Sequence, residues 1–418
     1  MKLIKAWNSI NFILRIFLGL VLGVVLGLLI PGNHWIAIPG TLFVWALKAI
    51  APILVFVLVA SSLASAKGGN AKEFRTVIFL YLLSTLLAAI VSVVICFIFP
   101  VEIPLTGLEE QDSVALSIGE IIEGLLLKVV TNPIESMFTG NDIGILFWAV
   151  VLGIALKKAS DVTKTMLQDL ANAVSGVVKG VISFAPFGIM GLSYEAISES
   201  GIDIFKKYGR LVLVLVGAML VVGLVLNPLI VGIALKRNPY PLVFYCIKNS
   251  GLTAFFTRSS AANIPVNMQL CKKLGLDEDI YSVSIPLGST INMDGAAVTI
   301  TIYSLVAAAS SGVQVSFPIA LLLSILATFS ACGASGVAGG SLLLVPVGCS
   351  LLGLPEEIAM QMVAVGFILS VVQDSMETAL NSSGDALFTA TAEFRKWQKQ
   401  GKKLPLWSLQ ASREEREH

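Results

Sequence analysis

Apolar runs of spanning length, separated by short charged loops, recur along the chain from Ile10 to Ala390. Runs of about 20 apolar residues are read as membrane-spanning helices. The pattern predicts spans at 10–30, 40–66, 76–100, 138–157, 165–198 and 208–236. Beyond these the periodicity becomes irregular. Segment 240–275 is interrupted by Thr257-Arg258-Ser259-Ser260 and Pro265, and 280–311 is broken by Asn292-Met293-Asp294-Gly295. Segment 317–353 holds a Gly/Ala/Ser core from Ser330 to Ser341, and 357–394 reads as the last span.

Loop charge sets the orientation. Lys2 and Lys5, Lys67, Lys72 and Arg75, Lys157, Lys158 and Lys164, Lys236 and Arg237, Lys272 and Lys273, and the stretch from Arg395 to Lys403 mark cytoplasmic sides. The loop 102–135, with Glu102, Glu109, Glu110, Asp112, Glu120 and Glu123 against Lys128, is poor in cations and reads as external, as does 199–205. Both ends of 240–275 are then cytoplasmic. For the last span to end inside, 317–353 must return to the outside. Both segments are therefore expected to be re-entrant hairpins, with tips at Arg258–Pro265 and Gly333–Gly340. Such segments are tolerated at membrane depth only when buried in protein or lining a cavity. Oppositely oriented hairpins facing a broken helix resemble the inverted-repeat plan of secondary transporters.

The last span adds chemistry to this plan. At 100° per residue, Asp374, Thr378, Asn381 and Asp385 fall within roughly 60° of one another, with Glu377 on the stripe's edge. Ionisable groups in such a segment turn inward, pair, and mark an ion or substrate path.

Composition agrees. Charged residues make up 13% of the 418 and hydrophobic residues 56%, with a mean hydropathy of +0.86. The net charge of +1 comes with no basic patch beside stacking aromatics, which argues against nucleic-acid binding. Cys96, Cys246, Cys271, Cys332 and Cys349 are odd in number, lack a CxxC spacing and read as buried thiols. His34 and His418 lie too far apart in sequence context to suggest a zinc site. Lys2, Lys5 and Arg15 before Ile16–Ile30 look like a signal peptide, but no A-x-A pattern follows, so an uncleaved first span is expected.

Each motif also has a bland reading. Asn292 to Gly295 suits a tight turn between two short helices. At mid-membrane, however, its carboxylate and freed carbonyls need a partner, which a cation supplies. Ser330 to Gly340 suits a small-residue packing surface, and Arg258-Ser259-Ser260 an ordinary loop. Charge counting sharpens the matter. Asp294, Asp374, Glu377 and Asp385 face one cation, Arg258, so either some carboxylates are protonated or external cations complete the site. Hard oxygen ligands suit Na⁺, with divalent ions left open. A substrate ammonium would neutralise one more carboxylate.

Thr257-Arg258-Ser259-Ser260, the run Pro286 to Gly295, and Asp374…Thr378…Asn381…Gly384-Asp385 together resemble the signatures of the dicarboxylate/amino acid:cation symporter family. The resemblance covers essentially the whole chain and is most specific from about 250 to 392. It implies an all-α polytopic membrane protein with eight transmembrane helices and two oppositely oriented re-entrant hairpins, trimeric and of the elevator type. Residues 1–75 and 101–205 would form the scaffold and external loop. Residues 76–100 and 206–396 would form the transport domain, and 397–418 a cytoplasmic tail.

The resemblance also implies ligand sets. Gly288, Asn292, Asn381 and Asp385 correspond to one sodium site, and Thr290 with Ala331, Cys332 and Ala334 to a second. Ser84, Thr85, Asn292 and Asp294 correspond to a third, because Tyr81 to Thr85 matches the family's third-span pattern. Ser259, Ser260, Ala296, Val337, Gly339, Asp374, Glu377, Thr378 and Asn381 would line the substrate site. Ser260 and Asn381 would hold the α-carboxylate and Asp374 the ammonium. Arg258 is a candidate for a structural ion pair, with Glu377 as one suggested partner. Ala338 stands where the family often has proline.

The departures are informative. Acidic-substrate members carry an arginine at the position of Glu377 and a threonine at that of Ala296. A glutamate there repels a side-chain carboxylate and can accept a hydrogen bond from a hydroxyl. The pattern is similar to the bacterial serine/threonine:sodium symporter subgroup. The expected activity is sodium-coupled import of L-serine and L-threonine across a bacterial inner membrane, both termini cytoplasmic, with Na⁺ as coupling ion and no cofactor. A broader alanine/serine/cysteine transporter or exchanger is the alternative. An ion channel accords less well with dead-end hairpins, and no nucleophile–base set suggests a membrane enzyme.

Overall fold

The computed structural model describes residues 12–65, 72–105, 127, 129–139, 141–201, 204–332, 334 and 339–405. Among them every regular element is helical. In chain order these are α1 (Phe12–Leu29), α2 (His34–Ser65), α3 (Lys72–Ile98), α4 (Pro133–Thr139), α5 (Asp142–Leu156), α6 (Asp161–Ser183) and α7 (Ala185–Ser200). There follow α8 (Ile204–Val221), α9 (Asn227–Leu235), α10 (Tyr240–Cys246), α11 (Leu252–Thr257), α12 (Ser260–Lys273), α13 (Glu278–Ile291) and α14 (Asp294–Ser310). The chain closes with α15 (Phe317–Ala331), α16 (Val345–Leu351) and α17 (Glu356–Lys399).

Five stretches among the described residues are long and apolar enough to cross a membrane: His34–Ser65, Phe74–Ile98, Lys206–Leu235, Glu278–Ser310 and Glu356–Lys399. With the shorter apolar helices Leu14–Leu29, Ile143–Leu156 and Phe317–Ala331, they make this a polytopic membrane protein. The stretch expected as a single span at 165–198 is instead two helices, α6 and α7, bent by 53°. One cause is legible. Pro186 falls in the first turn of α7, where it withholds a backbone donor from the preceding turn. Ahead of it, α6 buries Ala171, Val174, Val178 and Ile182 on one face and exposes Val162, Met166, Leu170 and Val177 on another. That exposed apolar face suits lipid, and α6 and α7 together are apolar enough to form one bent span.

Helix ends follow local chemistry. Ser160, Asn141 and Ser259 accept hydrogen bonds from backbone N–H groups in the turns that follow them. Arg258 ends α11 in the left-handed region at φ 53°, a costly conformation for a non-glycine residue. Its position between α11 and α12 makes the 240–275 segment two arms joined by a sharp break. Each arm before a break also carries a π-helical step, at Val222–Leu226 and at Ile247–Gly251.

Packing distinguishes an outer group from a core. The α1 and α7 helices approach until a Cβ on Gly19 would lie 2.1 Å from the Pro186 carbonyl oxygen, and one on Gly23 2.2 Å from that of Met190. Only glycine allows that contact. At the other extreme, α14 is buried continuously from Asp294 to Ala308, enclosed by α3, α15, α16 and α17. A helix buried all round belongs at the centre of a bundle. The break between α13 and α14, at Asn292 and Met293, lies inside this core, with both residues nearly inaccessible.

Candidate functional site

Two carboxylates converge on the α13–α14 break, each met by neutral donors. The first is Asp294, the opening residue of α14. Its Oδ1 accepts hydrogen bonds from Ser84 Oγ at 2.8 Å and Thr85 Oγ1 at 3.1 Å, both on α3. Its Oδ2 accepts one from Asn227 Nδ2 at 3.0 Å. Ser84 Oγ also lies 3.4 Å from Asn292 Oδ1. The expected third sodium set, Ser84, Thr85, Asn292 and Asp294, is thus one contiguous cluster, joined by Asn227. The Asn227 Oδ1 atom is buried with no hydrogen-bond partner, leaving an unused oxygen ligand beside Asp294.

The second is Asp385 on α17. Its Oδ1 accepts from Asn292 Nδ2 at 3.0 Å and its Oδ2 from Asn267 Nδ2 at 3.5 Å. The same Asn292 amide donates to the Asn381 carbonyl at 2.9 Å. Tyr81 ties the layer together by donating to the Asp385 carbonyl at 2.9 Å. A Cβ on Gly288 would stand 2.8 Å from Asp385 Oδ1 and 2.9 Å from the Tyr81 hydroxyl. Glycine is therefore required where α13 passes the carboxylate. Gly288, Asn292, Asn381 and Asp385, the expected first sodium set, are brought together.

The expected second set is less complete. Ala331 and Cys332 end α15, with Ala334 donating to the Ala331 carbonyl at 2.9 Å. The Cys332 thiol reaches the Thr328 carbonyl at 3.4 Å and lies 3.9 Å from the carbonyl of Ile291, the residue after Thr290. Thr290 Oγ1 donates back to the Leu287 carbonyl at 2.8 Å. Thr290 and Cys332 share a cavity of about 520 Å³ with Ser61, Gln168, Asn172 and Ile264, set between the α2–α6 face and the α12–α13 arms.

Of the residues expected at the substrate site, Asp374, Glu377, Thr378 and Asn381 lie on α17. Asp374 accepts from Arg258 Nε at 2.7 Å through Oδ2, and from the Gly339 backbone N–H at 3.1 Å through Oδ1. Arg258 thus pairs with Asp374, and the suggested Arg258–Glu377 pair is not formed. The left-handed turn at Arg258 aims its side chain at Asp374, while Glu377 takes a different set of partners. Its Oε2 accepts from Thr299 Oγ1 at 2.7 Å, Ser341 Oγ at 2.8 Å and Gln373 Nε2 at 2.5 Å. Thr378 Oγ1 donates within its own helix to the Asp374 carbonyl at 2.7 Å. Asn381 Oδ1 accepts from the Gly295 N–H at 2.7 Å.

Ser259 caps α12, Ser260 is buried in its first turn, and Ala296 is fully buried in the first turn of α14. Val337 lies outside the described residues. The α10–α12 arms are pinned to α17 by polar contacts. Asn263 Nδ2 reaches Ser250 Oγ at 2.9 Å and Ser382 Oγ at 3.1 Å, and Asn267 Nδ2 reaches the Ser382 carbonyl at 2.9 Å.

Sequence reasoning did not single out Asn227, Asn267, Thr299, Ser341 or Gln373. Asn227 and Asn267 had a visible signal, an amide inside an apolar run. Thr299 and Ser341 had none, because hydroxyls occur throughout membrane helices bonded to their own backbone. Gln373 sits one turn before Glu377, a helical neighbour that the stripe itself suggested.

Buried carboxylates and amides at a broken helix in an apolar bundle are the arrangement of a solute-transporting membrane protein. The sequence matches the Sodium:dicarboxylate symporter family over residues 12–394. It is 55% identical over 400 residues to a protein of Bifidobacterium adolescentis named serine/threonine transporter SstT, covering 96% of this chain and 93% of that one. It is 52% identical over 399 residues to a Streptococcus thermophilus protein of the same name, covering 95% and 99%. A Streptococcus agalactiae protein of that name is 53% identical over 393 residues, covering 94% and 98%. The chain belongs to the sodium:dicarboxylate symporter family. It is a transporter and not an enzyme.

Proposed function

We propose that this protein imports L-serine and L-threonine together with Na⁺ across a bacterial inner membrane. In this reading the eight-span, two-hairpin plan holds, with 240–275 and 317–353 as the hairpins and both termini cytoplasmic. Three copies assemble through the scaffold, residues 1–75 and 101–205, while 76–100 and 206–396 move as the transport domain. The ion pair between Lys48 on α2 and Glu356 at the start of α17, at 3.0 Å, then joins the two parts.

Sodium ions are cargo here. The Asp294 and Asp385 clusters each offer a carboxylate with further oxygen donors, a hard set suited to Na⁺. Binding of a cation at either cluster offsets a buried negative charge that neutral donors only partly compensate. Sodium thereby organises the α13–α14 break next to the substrate residues. Serine then binds with its α-carboxylate toward Ser260 and Asn381 and its ammonium toward Asp374. Asp374 is held by Arg258 and Gly339 in the present arrangement, so ammonium binding requires that contact to be exchanged or shared. The coupling requirement is thermodynamic. Closure of the second hairpin must be favoured by sodium plus substrate and disfavoured by sodium alone.

The observation that carries the specificity is Glu377, buried among hydroxyl and amide donors. An anionic side chain entering this site meets a carboxylate, whereas a hydroxyl meets an acceptor. The names of the close relatives support serine and threonine. The test is competition by serine, threonine, alanine, aspartate and glutamate against labelled serine, for wild type and Glu377→Arg. Serine and threonine compete best in wild type, and Glu377→Arg shifts preference toward the acidic pair. Equal competition by alanine points to the broader neutral transporter, and preference of wild type for aspartate overturns the reading.

A further inference from the structure

Glu377 accepts three hydrogen bonds, and all three fall on one oxygen. Thr299 Oγ1 on α14, Ser341 Oγ before the turn Leu342–Leu344, and Gln373 Nε2 on α17 converge on Oε2 at 2.7, 2.8 and 2.5 Å. Gln373 Nε2 also donates to Thr299 Oγ1 at 2.8 Å, so two of the three donors are tied to each other as well as to the carboxylate oxygen. Among the described residues Oε1 receives none of these bonds. The Glu377 backbone is fixed as well, since a Cβ on Gly295 would stand 2.8 Å from the Glu377 Cα. This carboxylate has one oxygen committed to the protein and one left over.

A flexible glutamate would be a poor specificity element. With several rotatable bonds, it would turn to meet whatever entered, and holding it would cost side-chain entropy at the moment of binding. Three donors from three separate segments remove that freedom beforehand. Ser341 adds a second feature. It lies two residues after Gly339, whose N–H meets Asp374 at 3.1 Å. The return arm of the 317–353 segment therefore touches α17 at both Asp374 and Glu377.

We propose that Thr299, Gln373 and Ser341 are positioning residues for substrate selection: they lock Glu377 through Oε2 and reserve Oε1 as the acceptor for a substrate side-chain hydroxyl. This rests on the serine/threonine reading above. The discrimination between serine and alanine, which differ by that hydroxyl alone, then depends on residues that need not touch the substrate.

The test uses the full chain reconstituted in proteoliposomes, with Thr299→Val, Thr299→Ser, Gln373→Leu and Ser341→Ala. Half-saturating concentrations of serine and alanine are measured at fixed saturating Na⁺, and the Na⁺ dependence is measured separately. Thr299→Val and Gln373→Leu are expected to raise the serine value about tenfold, the worth of one good hydrogen bond, and to leave alanine within about twofold. Thr299→Ser keeps the hydroxyl and is expected to restore the wild-type ratio. Serine and alanine affinities falling together in Thr299→Val, with Thr299→Ser failing to rescue, would show a packing role and overturn the proposal. So would an unchanged serine-to-alanine ratio in Gln373→Leu. If a variant does not reach the membrane, the ratio in Ser341→Ala decides, because that substitution removes one hydroxyl and no apolar volume. The underlying reading fails separately, if wild type itself does not bind serine.

Discussion

Removing one member of the Arg258–Asp374 pair should damage stability far more than removing both. The side chains retain only 7% and 3% of their exposure, with Nε and Oδ2 2.7 Å apart. Arg258→Met leaves Asp374 with the Gly339 N–H as its remaining partner across the site. Asp374→Leu strands a guanidinium whose Nη1 is already buried without a partner. Orphaning one partner of a buried pair costs about 3–5 kcal/mol, whereas replacing both with apolar groups of similar volume is often neutral or better. Each single variant is therefore expected to lose about 3–5 kcal/mol, and the double variant to return to within about 1–2 kcal/mol of wild type. Unfolding of detergent-solubilised protein, followed by intrinsic tryptophan fluorescence across a denaturant series, provides the four corners of the cycle. Strictly additive losses would refute the reasoning. So would strong coupling of Arg258→Met with Glu377→Gln, since the two side chains are not paired in the structure. Transport should stay absent in the double variant, because stability and ammonium recognition are separate demands on Asp374.

Three further outcomes follow from individual contacts. Gly288→Ala forces a methyl to within 2.8 Å of Asp385 Oδ1. Overpacking of this kind costs about 1–3 kcal/mol, and the displaced carboxylate should weaken Na⁺ activation of uptake about tenfold or more. Asn227→Leu removes the donor to Asp294 Oδ2. Loss of a hydrogen bond to a charged group, about 1.5–3 kcal/mol, should appear as altered Na⁺ dependence with the serine-to-alanine ratio unchanged. By contrast, Lys48 and Glu356 keep 40% and 41% side-chain exposure, so Lys48→Ala should change stability by less than about 1 kcal/mol, measured in the same denaturant series.

The parts of this molecule legible in the sequence are those encoded by contrast. A carboxylate in an apolar run, or Asn-Met-Asp-Gly between apolar segments, stands out because burying it costs energy. Asp294, Asp385 and Asn292 were found that way, and they do converge. The bend at Phe184 was obscured because largely apolar character continues from Val174 to Met190, across Pro186. Arg258 illustrates another limit. Composition says that it must find a carboxylate among four, but only the left-handed backbone at Arg258 decides that Asp374 receives it. Thr299 and Ser341 were invisible for a related reason. A hydroxyl in a membrane helix ordinarily bonds to its own backbone, as Thr378, Ser304 and Ser324 do here, and sequence does not reveal which one reaches across. Gln373 was the nearest miss, one turn from Glu377 on the same helix.

The central claim is that buried carboxylates couple sodium to a small hydroxylated amino acid. Uptake of labelled serine by proteoliposomes, with an inward sodium gradient, a proton gradient alone, or neither, tests it directly. Concentrative, saturable uptake that requires the sodium gradient and is lost in Asp385→Asn is the expected result. Equal accumulation under the proton gradient alone, or serine uptake indifferent to sodium, would contradict it.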